Sequence, residues 1–170
     1  MKKWICIIFI ACVGVASCEK ENPEELLEPE DLLASSEYFR ATIDGRSFEV
    51  KDPETMGGRI YPSPQSGIIT LDFYGGIEDE ENFEALDFKI CYFDGPGTYY
   101  TGTTSSVSWA DYYHNLDAWY NDYTLEDPGT VIVTEHTEKF VEGTFEFNAY
   151  NYDDESYVHV VGEFKVLLEE

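Results

Sequence analysis

From Glu37 onward the chain alternates apolar and polar residues with a period of two, the repeat of a strand whose side chains point to opposite faces. Tyr38 to Ile43 and Arg46 to Lys51 form such a pair around Asp44-Gly45, a dipeptide suited to the positive φ of a tight hairpin turn. Pro53, Gly57, Gly58, Pro62 and Pro64 mark a long loop with one short extended piece at Arg59–Tyr61. Ile68 to Tyr74 places Ile69, Leu71 and Phe73 on one face, and Gly75 to Asn82 reads as an acidic turn. In Phe83 to Phe93, Leu86, Phe88, Ile90 and Tyr92 face inward opposite Asp87 and Lys89. Asp94-Gly95-Pro96-Gly97 closes that strand, and Thr98 to Ser108 is β-branched and extended.

Gly129 to His136, Glu138 to Asn148 and Ser156 to Leu168 give three more strands, the last two joined by a polar loop at Asn151 to Glu155. Their alternation puts Phe145, Phe147, Val160 and Phe164 on the buried face and Glu146, His159 and Lys165 outside. Trp109 to Asp127 is aromatic and irregular, and no period assigns it. No stretch of ten or more residues keeps a 3.6-residue apolar period, so no core helix is expected. About eight strands with frequent turns predict an all-β domain, an antiparallel β-sandwich or partly closed barrel. The expected organisation is a signal peptide over 1–17, a tether over 18–36 and one β domain over 37–170.

The N-terminus changes this picture. Lys2 and Lys3 precede 14 residues without an ionisable acid or base, Trp4 to Ser17, and the run closes in the tetrapeptide Val15-Ala16-Ser17-Cys18 with Cys18 directly after it. The run is shorter than the roughly 17–25 residues of a membrane span, so it reads as a removed signal. The tetrapeptide resembles the lipobox of bacterial lipoproteins, which implies acylation of Cys18 and attachment to a membrane through that lipid. Two or three acyl chains hold stably where one does not. Residues 19–36 carry seven acids, one lysine and two prolines, an extended tether with a reach of about 60 Å at ~3.3–3.6 Å per residue. Its opening, Glu19-Lys20-Glu21-Asn22, resembles the export signals that send Bacteroidota lipoproteins to the cell surface. An outer-membrane, surface-exposed location follows as an expectation.

Removing residues 1–17 takes away two lysines and no acid, so 10 basic and 35 acidic residues become 8 and 35, a net charge of −27. Such a chain offers nucleic acid no electrostatic footprint, and the charge reads as solubility or as a surface for a cationic partner. Of the four cysteines only Cys91 remains after signal removal and lipidation, so no intrachain disulfide is expected, and Cys91 reads as an inert strand residue.

Three pieces together resemble a family of small Bacteroidota lipoproteins of unknown function. They are Phe39 to Phe48 (FRATIDGRSF), Gly97-Thr98-Tyr99, and Gly143 to Phe147 (GTFEF) followed by Gly162 to Val166 (GEFKV). The resemblance implies a lipid-anchored β domain and supplies no catalytic residue. Residues 109–127 have no counterpart in it and read as an insertion.

Enzymatic signatures are absent: no HExxH, GxSxG, CxxC, P-loop or dinucleotide fingerprint occurs. His114, His136 and His159 lack ligand-like spacing. Asn151-x-Asp153-x-Glu155 fails as a calcium loop, with Ser156 at position six and Gly162 at position twelve. Glu78 to Glu81 reads as a solvated acidic turn. No catalytic residue, metal or cofactor is expected, and the protein reads as a binding or accessory domain and not an enzyme. The one constellation with binding chemistry is Trp109, Tyr112, Tyr113, Trp119 and Tyr120, with Tyr123, interspersed with Asp and Asn. Rings stack on sugar C–H faces while carboxylates and amides bond hydroxyls, and amphipathic rings also suit protein partners. The alternatives are a glycan- or protein-binding loop and a satellite core packed under a loop. Open rings favour the first and buried rings the second.

Overall fold

The computed structural model describes residues 37–64, 66–79, 82–103, 107–121 and 129–169. The signal, Cys18, the tether, Glu80, Glu81 and Tyr123 lie outside the described residues. Among the described residues there are eleven strands where about eight are expected: β1 (Tyr38–Ile43), β2 (Arg46–Val50), β3 (Met56–Pro62), β4 (Ile69–Glu78), β5 (Phe83–Cys91), β6 (Gly97–Thr101), β7 (Trp109–His114), β8 (Asp117–Asn121), β9 (Gly129–His136), β10 (Phe140–Asn151) and β11 (Ser156–Leu167). The helical content of the described residues is one 3₁₀ turn, Pro53–Thr55, capped by the Asp52 side chain.

The three additional strands have identifiable causes. β3 extends the short piece over seven residues, because Gly57 and Gly58 are buried positions without side chains to show an alternation. β7 and β8 form a hairpin over the stretch that carries no readable period, since aromatic rings occupy both of its faces. Two boundaries also shift. β4 continues to Glu78, past the expected start of the turn at Gly75, and the Asp79 amide donates to the Asn82 carbonyl at 2.9 Å. The expected strand over 98–108 ends at Thr101, where Gly102 adopts φ +64°. The β1–β2 turn is as predicted, Asp44 and Gly45 both having positive φ (47° and 82°).

All strand pairs are antiparallel in one sheet, ordered β2-β1-β11-β10-β8-β7-β5-β4-β3, with β9 added to β10 and β6 to β9. Two 12-residue strands fold this sheet back on itself. β10 gives residues 141–146 to β9 and Tyr150 to β8, while β11 gives residues 160–165 to β1. Beyond β1, Leu168 forms a parallel bridge to Gly58 of β3, and the Glu169 amide donates to the Gly58 carbonyl at 2.8 Å. The result is a nearly closed, barrel-like sheet.

Phenylalanines fill the interior: Phe73 stacks on its cross-strand partner Phe88 at 4.5 Å and on Phe164 of β11 at 4.2 Å, and Phe145 of β10 lies 4.7 Å from Phe88. Phe145, Phe147, Val160 and Phe164 are buried as predicted, with Glu146 and His159 exposed. Lys165 faces out toward Glu142 at 3.7 Å and lies over the Phe140 ring. Glycines make room for the rings across the strands: Phe145 pairs with Gly162 and Phe164 with Gly143. A Cβ on Gly162 would lie 2.3 Å from the Arg40 carbonyl oxygen and 2.5 Å from the Phe145 ring.

Candidate functional site

The β7–β8 hairpin separates the aromatic constellation into two sets by strand alternation alone. Tyr112 and Trp119 are directly paired, point into the barrel and are buried, their ring centroids 5.1 Å apart. The Trp119 Nε1–H donates to Ser156 Oγ at 2.9 Å. The Tyr112 hydroxyl donates to Glu84 at 2.6 Å, and Arg46 donates to that carboxylate through both terminal nitrogens and to the Tyr112 oxygen at 3.0 Å. Burial lifts the Glu84 carboxyl, but the bonds from Arg46 and Tyr112 outweigh it and hold the group below its ordinary value. Tyr112 is pushed well up by burial and then by Glu84. These two rings therefore belong to the core and to the polar network closing one end of it, which corrects their expected role as ligand contacts.

Trp109, Tyr113 and Tyr120 point the other way. Trp109 and Tyr113 are half-buried and Tyr120 is exposed, all on the outer face. Pairing of β7 to β5 and of β8 to β10 makes the hairpin an integral part of the wall and not an appended insertion. The same pairing sets register rows across the outer face. One row runs Tyr74, Asp87, Asp111, Tyr120, Tyr150 and Tyr157 through β4, β5, β7, β8, β10 and β11. The next runs Arg59, Asp72, Lys89 and Trp109.

Across parts of these rows and the adjoining one of Gly76, Ala85 and Tyr113 lies a cleft of about 740 Å³ bordered by Tyr74, Trp109 and Tyr113, with Asp72 and Asp87 among its lining residues. Asp72 Oδ2 accepts from Arg59 at 3.2 Å and from the Tyr61 hydroxyl at 2.8 Å, whereas its buried Oδ1 has no hydrogen-bond partner. Burial, and then the charge of Asp72, push the Asp87 carboxyl up to about 6. The Tyr113 hydroxyl, 3.3 Å from Asp111 Oδ2, is raised by burial and by the charges of Asp111 and Asp87. Asp72, Tyr74 and Asp87 were not distinguishable in the sequence, where they are ordinary outward positions of alternating strands.

The histidines are dispersed. His136 stacks edge-on against Phe93 at 5.1 Å and His159 pairs with Glu146 at 3.0 Å. Asn151 accepts through its side chain from the amides of Asp153 and Asp154, a turn-forming role in the loop tested above for calcium. The Cys91 thiol lies 3.5 Å from the Val107 carbonyl.

No curated protein and no solved structure matches this chain. Residues 75–165 match the family described as Domain of unknown function (DUF6252). The matched span runs from within β4 through the β7–β8 hairpin to β11; Gly97–Tyr99 and Gly143–Phe147 fall inside it, and Phe39–Phe48 precedes it. Since the match takes in more than half of the chain, including most of the strands that build the cleft, the protein belongs to that family, Domain of unknown function (DUF6252).

Proposed function

We propose that this protein is a lipid-anchored, non-enzymatic binding domain of the bacterial outer membrane, tethered through Cys18 and surface-exposed. Its ligand-contacting face is the outer surface bearing Trp109, Tyr113 and Tyr120. The observation that carries the binding role is the cleft itself: rings at its rim project away from a core that needs none of them, beside carboxylates held partly out of water. Structural aromatics are normally turned inward, as Tyr112 and Trp119 are. The Val15-Ala16-Ser17-Cys18 pattern and the acidic segment after it support the anchor and the address. The combination resembles the Bacteroidota lipoproteins of unknown function noted from the sequence.

A second reading makes the ligand a glycan, favoured by outward rings beside Asp72 and Asp87, which supply stacking faces and hydroxyl acceptors on one surface. Metabolic labelling with a fatty-acid analogue tests the anchor: wild type takes up the label and Cys18→Ala does not, and equal labelling refutes it. On the glycan reading, titrating the full chain with neutral oligosaccharides and reading tryptophan fluorescence gives a saturable change that Trp109→Ala abolishes. A response unaltered by Trp109→Ala refutes the assignment of the face.

A further inference from the structure

We propose that the cleft between β4, β5 and β7 receives a basic side chain, lysine or arginine, of a partner polypeptide; this rests on the reading that the outer face contacts a ligand and names the chemistry of what it contacts. Charge complementarity chooses the occupant. The lining carries the carboxylates of Glu54, Asp72, Glu78, Asp87 and Glu169 against the single cation Arg59. Arg59 is already paired with Asp72 at 3.2 Å and lies over the Tyr61 ring at 5.0 Å. An anionic ligand is repelled here, and a neutral one leaves the excess charge unanswered.

The register sharpens the argument. Asp87 and Asp111 lie directly opposite each other on neighbouring strands and on the same face, where like charges disfavour pairing. Asp111 is only 8% exposed, so water screens this juxtaposition poorly. Asp72 adds a further negative charge from β4, and its Oδ1 is buried without a partner, a rare condition in folded chains. The groups facing Asp87 are therefore Asp72 and Tyr74 on β4, Lys89 on its own strand, Asp111 and Tyr113 on β7, and Arg59 beyond β4. Lys89 lies one row away, opposite Asp72 and Trp109, and leaves Asp87 high despite its charge.

A lysine or arginine side chain fits the remaining features. Its aliphatic stem lies along apolar surface while its cation seeks an acceptor, and a cation is attracted to the face of Trp or Tyr within about 6 Å of the ring centroid. Trp109, Tyr113 and Tyr74 supply the faces, with the carboxylate of Asp87 between them. The neighbouring exposed tyrosines, Tyr120 and Tyr157 in the Asp87 row, extend the surface for the rest of a polypeptide, as tyrosine-rich interfaces do.

The test is a calorimetric titration of the full chain at physiological ionic strength with three probes: tetralysine, its fully Nε-acetylated form, and a glucosamine tetramer. Tetralysine is expected to bind, acetylation to weaken it at least about tenfold, and Asp87→Asn to weaken it about tenfold. Glu135→Gln, at an exposed acid of β9, a strand that contributes nothing to the cleft lining, is expected to change nothing. NMR titration of Asp87 adds a second readout, its carboxyl falling from about 6 when tetralysine is present. Thermal melting verifies that Asp87→Asn folds, and Trp109→Leu repeats the test without altering charge. Equal weakening by Asp87→Asn and Glu135→Gln overturns the proposal in favour of diffuse attraction. Asp87-dependent binding of the glucosamine tetramer without tetralysine binding also overturns it, while keeping the ligand-contacting face. If no probe binds and Trp109→Ala leaves oligosaccharide titrations unchanged, that face falls with it.

Discussion

Replacing Phe145 with alanine tests the register of the longest hairpin and the centre of the core together. The ring is 2% exposed and lies 4.7 Å from Phe88 and 5.5 Å from Phe39, with Phe164 and Phe147 at 6.3 and 6.4 Å. Its partner on β9 is the buried Val131, but its partner on β11 is Gly162, so on that side no side chain stands opposite to fill the space left behind. Phe→Ala in a core costs about 3–5 kcal/mol, and tight aromatic pairs contribute about 0.5–1.5 kcal/mol beyond burial. With two close pairs lost and no side chain on the β11 side to fill the gap, the upper half of that range, about 4–5 kcal/mol, is expected. That is about a quarter or more of the roughly 5–15 kcal/mol by which such domains are stable. Glu146, one residue along, is exposed and bonded only to the exposed His159, so Glu146→Ala is expected to cost under about 0.5 kcal/mol. Urea denaturation decides between them. At an m-value of about 1–3 kcal/mol/M, Phe145→Ala lowers the midpoint by more than about 1 M, while Glu146→Ala hardly moves it. Equal losses, or the larger loss at Glu146, refute the reasoning, because a one-residue slip exchanges the faces of every residue in the strand.

Asp87 has a native pKa, about 6, above its ordinary 3.8, so the native state holds its proton longer and stability is lost as pH rises from about 4 to 6. Asp87→Asn therefore stabilises the protein at neutral pH and loses that advantage below about pH 4, which urea midpoints across that range will show. Glu84 carries the opposite sign. Held below its ordinary value, it contributes stability above its unfolded pKa of about 4.3 that disappears on acidification. Glu84→Gln is expected to cost about 1–3 kcal/mol at pH 7 and to flatten the acid limb, and an unchanged acid limb refutes the network's role. Gly143→Ala places a methyl 2.2 Å from the Ile132 carbonyl oxygen, a backbone atom that cannot rotate away, for a cost of about 1–3 kcal/mol or more. An unchanged melting temperature refutes that reading.

What the sequence by itself determined is the part governed by neighbours along the chain. Period-two alternation located β4, β5, β9, β10 and β11 because each has one wall in water and one in the core, so solvation writes the pattern into consecutive residues. Asp44-Gly45 announced its turn because positive φ suits few residue pairs. β7 and β8 stayed unreadable because rings line both faces there, inward at Tyr112 and Trp119 and outward at Trp109, Tyr113 and Tyr120. β3 was mostly hidden because Gly57 and Gly58 are buried without side chains.

Only the tertiary structure decided the closure of the sheet, which depends on a bridge between Gly58 and Leu168 across most of the chain. It also decided the cleft. Pairing β7 to β5 sets Asp87 against Asp111, and pairing β4 to β5 brings Asp72 and Tyr74 beside them. A carboxylate on an alternating strand is an ordinary solvated residue until a register places another beside it and a sheet shields both from water. That register is fixed by long-range backbone pairing, and nothing in the residues adjacent to Asp87 encodes it.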